Sequence, residues 1–147
     1  MRDIKRIIIG SSVFFSGYDD FHSKDTDVIA IMDSFLPGRN SMNMKLKETR
    51  EDVFLYRNID KEGFIQDALT SGVPMRVGKF LVPEFAEYIG LQVEELPRLK
   101  PLFEQLDEKH RYEKIIYDSY MENNSFTLTE AQRQRAYDVY KMSRTTK

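Results

Sequence analysis

The segment Ile7-Ile8-Ile9-Gly10-Ser11-Ser12 constrains this chain more than any other. Three consecutive β-branched residues favour an extended backbone. A glycine and two serines directly behind them end that strand and permit a tight turn into a new element. Ile4 to Ile9 is therefore expected to form a buried strand, and Gly10-Ser11-Ser12 to open a short helix through Val13 to Ser16. A second apolar run, Val28-Ile29-Ala30-Ile31-Met32, follows Asp25-Thr26-Asp27 and reads as a central strand. Gly17 to Lys24, polar and aromatic, reads as a loop between the two.

Further on, Leu36 to Ser41 has loop composition, and Met44 to Lys47 and Asp52 to Arg57 read as two strands around the polar turn Glu48 to Glu51. The pattern then becomes helical. Asp60 suits the N-cap of a helix over Lys61 to Thr70 that stops near Gly72. Pro83 suits the first turn of another, closed by Gly90. A long helix is expected from Pro101 to Met121. Thr129 and Gln132 form a capping box for a last helix to about Ser143, with Arg144 to Lys147 fraying. The expected fold class is α+β. A small mixed sheet fills residues 1–59 and a mainly helical part, 60–147, packs on it within a single domain, 1–147.

Hydrophobic residues make up 41% of the chain, enough for a core, and the net charge of -2 argues against bulk binding of nucleic acid. The absence of cysteine removes disulfide partners and thiolate metal sites. His22 and His110 are too few for a histidine-rich zinc site, so a metal here is expected to be a hard cation held by carboxylates. No segment reaches membrane-spanning length, and the short apolar run near the start does not make a signal peptide. The expectation is a soluble, cytoplasmic protein with no membrane partner.

The chemistry is concentrated between Ile9 and Val28. Two aspartates at i and i+2 of a strand entry project to one side, where Asp25 and Asp27 can grip the same divalent cation. Magnesium takes oxygen ligands and keeps places for water and substrate phosphates. Gly10 allows backbone to approach a phosphate closely, and Ser11 and Ser12 add hydroxyl donors at a helix start. Taken separately, these features have plain readings: an ordinary strand-to-helix turn, and a solvated strand entry. Asp33 reads as a turn residue, His22 as a surface histidine, Lys24 as a counter-charge to the aspartates and Lys79 as a solvated lysine. Phe80, Phe85 and Tyr88 are expected to pack the helical half on the sheet.

Taken together, Gly10, Ser11, Asp25, Asp27 and Val28 resemble the signature of the DNA polymerase beta-like nucleotidyltransferase superfamily. With its first strand so close to residue 1, the chain looks like the bacterial and phage-type branch. Thr26 stands where the signature carries an apolar residue. The resemblance covers roughly the first 57 residues. It implies nucleotide binding at Gly10, Ser11 and Ser12, and a Mg2+ or Mn2+ site at Asp25 and Asp27. A third carboxylate on a later strand completes that site in the family, and Asp52 matches it by context. The implied reaction moves a nucleoside monophosphate from a nucleoside triphosphate to a hydroxyl acceptor, whether protein, RNA or small molecule. A non-catalytic member that binds nucleotide or a partner is the alternative. A small interaction domain with a coincidental motif is a third reading.

Overall fold

The computed structural model describes residues 5–22, 25–32, 41–57, 59–71 and 77–145. Lys24, Asp33, the loop segment 36–40 and Gly72 lie outside them. The chain divides into two compact units, Met1–Asp60 and Lys61–Lys147. The fold is α+β, with a four-stranded mixed sheet in the N-terminal half and helices in the C-terminal half.

In the first unit the β-branched run forms β1 (Lys5–Ile9) and the Gly-Ser-Ser turn opens α1 (Ser11–Phe15). Next come β2 (Thr26–Met32), β3 (Ser41–Leu46) and β4 (Glu51–Arg57). The sheet order is β1-β2-β4-β3. β1 runs antiparallel to β2, β2 parallel to β4, and β3 antiparallel to β4. The expected hairpin forms, but β3 begins at Ser41, earlier than the sequence indicates. Its polar positions Ser41 and Asn43 hide the strand from a hydrophobic reading, and register with Tyr56 and Phe54 on β4 recruits them.

Side chains alternate between the faces of a strand, and residues in register share a face. One face therefore carries Ile7 and Ile9, then Asp27, Ile29 and Ile31, then Asp52, Phe54 and Tyr56. The other carries a small cluster of Val28, Ala30 and Val53, with Leu46 and Leu55 against it. β2 and β4 are apolar on both faces because both faces are buried.

The second unit is built from α2 (Lys61–Ser71), α3 (Pro83–Ile89), α4 (Lys100–Glu104), α5 (Arg111–Asn123) and α6 (Glu130–Thr145), with short 3-10 turns between. Gly90 ends α3 in the left-handed conformation, its N–H donating to Ala86 and Glu87. The Thr129–Gln132 box caps α6 as the sequence predicts, with reciprocal bonds of 2.9 and 3.1 Å. The single helix expected over 101–121 is instead two, α4 and α5. Asp107 accepts the backbone N–H of His110, and such local bonds compete with helix continuation.

Three further expectations change. α6 runs on to Thr145 rather than fraying at Arg144, whose guanidinium stacks 3.9 Å from the Tyr140 ring centroid and donates to the Lys109 carbonyl. Lys79 is buried, not solvated, and its ammonium lies 5.5 and 5.1 Å from the Phe64 and Phe80 ring centroids. Phe80 and Phe85 are fully buried, but Tyr88 is exposed. Among the described residues no helix is long and apolar enough to cross a membrane.

Candidate functional site

β1 ends at Ile9, directly across from Asp27 on β2. Asp27 is in register with Asp52 on the parallel strand β4, and Asp52 is in register with Lys45 on β3. Ile9, Asp27, Asp52 and Lys45 thus form one row across the sheet, on one face, with neighbouring strands about 4.8 Å apart. The two acids come from positions far apart in sequence and meet only because β2 and β4 pair in this register.

Gly10 closes the row. Its φ of +80° is a left-handed conformation that side chains disfavour. A Cβ added there would lie 2.8 Å from Asp27 Oδ2. The Asp27 carboxylate therefore packs against bare glycine backbone, which accounts for glycine at this turn. α1 starts at once, with the Val13 N–H donating to the Gly10 carbonyl at 3.1 Å. Ser11 and Ser12 form its first turn and are half-buried.

Asp52 is nearly buried, 9% exposed. Its Oδ1 accepts a 2.7 Å hydrogen bond from Asn43 Nδ2. Glu51, next to it in sequence, has the opposite strand parity and accepts from Arg6 at 2.7 Å. That hydrogen bond, with the Arg6 charge, holds the Glu51 carboxyl below the usual carboxylate range. Glu51 is thereby committed elsewhere, and Asp52 is the acid this end of β4 presents.

Asp25 lies in the bend before β2 rather than in the strand. The alternation that places Asp27 beside Asp52 therefore does not extend to it. Among the described residues no three acidic or histidine side chains are grouped to hold a metal ion. His22 is exposed, as expected. The donor set still suits a hard cation, because magnesium is commonly held by one or two carboxylates, with phosphate and water oxygens completing its shell. Asp27 and Asp52 fit that requirement. Sequence reasoning missed Asn43, since its contact with Asp52 depends on the β3–β4 register.

Comparison of the chain with protein-family models, curated proteins and solved structures finds no match.

Proposed function

We propose that the first unit is a nucleotidyltransferase-type domain that binds a nucleoside triphosphate with Mg2+ or Mn2+. In this reading it transfers the nucleoside monophosphate to a hydroxyl acceptor. The observation that carries the reading is the meeting of Gly10, Asp27 and Asp52 at one end of one sheet face. The family resemblance rests on sequence spacing alone, whereas this meeting depends on strand pairing.

Asp27 and Asp52 would hold the cation, with Asp25 at the approach to β2 as a further acid. Bound there, the cation would neutralise phosphate charge and polarise the reacting phosphoryl group. Gly10, having no Cβ, leaves room for the triphosphate to approach backbone, and the hydroxyls of Ser11 and Ser12 donate to its oxygens. The acceptor oxygen bonds to the α-phosphorus as the bond from that phosphorus to the bridging oxygen breaks. Pyrophosphate leaves with that electron pair. Asp52 would complete the cation site, and the cation held there would help activate the acceptor hydroxyl. Positioning and charge neutralisation supply most of the rate in such displacements.

A second reading, nucleotide binding without turnover, is favoured by one observation: Asp25 lies in the bend before β2, off the row that Asp27 and Asp52 share. Titration calorimetry with Mg-ATP, paired with transfer of labelled nucleotide, separates the two. Both readings expect wild type to bind and Asp27→Asn and Asp52→Asn to weaken binding at least about 10-fold, the loss typical of disrupted metal coordination. Only the first expects labelled product. Equal binding by wild type and both variants would sink both.

A further inference from the structure

We infer that Asn43 is a positioning residue that fixes the Asp52 carboxylate for cation binding. This rests on the metal–nucleotide reading of the same end of the sheet.

Asn43 lies on β3, the edge strand beside β4. Asparagine is depleted in strands, because its amide competes with the backbone for hydrogen bonds. Here the amide serves a specific pair of acceptors. Nδ2 donates to Asp52 Oδ1 at 2.7 Å and to the Val53 carbonyl at 3.1 Å. The Val53 carbonyl can only accept, so the amide is oriented with Nδ2 toward β4. The contact to the Val53 carbonyl ties the amide to the backbone of β4, and the contact to Oδ1 ties the carboxylate to the amide. Asp52 is thereby held at a fixed rotation, with Oδ2 left to serve a cation.

The need for such a clamp follows from the row itself. Two carboxylates in register on neighbouring strands repel, and Asp52 is nearly buried. Lys45 faces Asp52 across the ladder, yet among the described residues it makes no ion pair with it. The neutral amide supplies the hydrogen bond while leaving the negative charge on the site undiminished. A lysine in its place would supply a counter-charge that competes with the cation. Residues that orient metal ligands in this way typically contribute about 10–100-fold to metal affinity.

The test uses the whole chain, with Mn2+ and ATP as probes and electron paramagnetic resonance to count bound Mn2+. Asn43→Ala is expected to weaken Mn2+ binding about 10–100-fold and to lower the thermal midpoint as well, because Asp52 and the Val53 carbonyl lose a donor. Asn43→Gln, which keeps the amide donor, is expected to recover part of that affinity, and it carries the test if the alanine variant is unstable. A merely structural clip between β3 and β4 would shift the midpoint but leave Mn2+ affinity unchanged. If Asn43→Ala binds as wild type does while Asp52→Asn does not, the inference fails and the metal–nucleotide reading stands. If wild type binds no Mn2+ with ATP, both fail.

Discussion

The two units place polar side chains to different ends. In the helical unit two buried tyrosine hydroxyls join elements to one another. Tyr117 donates its hydroxyl to the Leu96 carbonyl at 2.7 Å, and Tyr120 donates to the Leu81 carbonyl at 2.8 Å, so α5 is bonded to the turns that precede it. Each hydroxyl ends on a backbone acceptor that burial would otherwise leave costly. In the sheet unit the acids are drawn to one end of one face, where Asp27 and Asp52 stand side by side. Adjacent like charges destabilise a sheet. Here Asn43 donates to one of the pair, Asp52, at 2.7 Å. The contrast separates polar groups that hold the fold from polar groups held by it.

Two glycines sharpen the comparison and carry the largest expected effects. A Cβ on Gly78 would lie 2.6 Å from Glu113 Oε2, a buried carboxylate in the helical unit. Gly78→Ala is expected to cost about 1–3 kcal/mol, the usual range for overpacking, seen as a lower denaturant midpoint. Gly10→Ala adds a positive φ to a similar clash, against Asp27. A destabilisation of the same order is expected. Only Gly10→Ala is also expected to abolish Mg-ATP binding, because the displaced group is a proposed ligand. Loss of binding in both, or in neither, would break the distinction.

A smaller effect is expected at high pH. Burial pushes the Tyr117 hydroxyl up to about 12 and raises that of Tyr120 further. An unfolded tyrosine ionises near 10. Above that pH the unfolded chain loses protons that the fold retains. The stabilising contribution is therefore complete below pH 10 and declines as pH rises toward 12. Urea midpoints measured from pH 9 to 11.5 should fall, and Tyr117→Phe should flatten the fall. An unchanged slope in that variant would show that Tyr117 does not carry it.

Much of the fold was legible because its signals are local. The Ile-Ile-Ile-Gly-Ser-Ser run marks β1 and α1, the apolar run after Asp27 marks β2, and Thr129 with Gln132 marks the start of α6. The break at Asp107 has a local cause as well, but its side-chain bond to His110 is hidden within a charged stretch that reads as helix. What was illegible depends on pairing. Asp52 could be named from sequence by resemblance, but its place beside Asp27 appears only once β2 pairs with β4, and Asn43 only once β3 is registered on β4. Lys79 looks solvated in sequence because nothing local announces the Phe64 and Phe80 rings beside it.

The most direct test of the proposed site is paramagnetic broadening of 15N–1H amide signals by Mn2+ in the presence of ATP. The expected result is selective loss of the Gly10, Ser11, Asp27 and Asp52 signals at substoichiometric Mn2+, with those of α5 and α6 retained. Broadening confined to acidic surface positions elsewhere, such as Asp118 or Asp138, with Gly10 and Asp27 unaffected, would contradict the claim that this end of the sheet binds a metal–nucleotide.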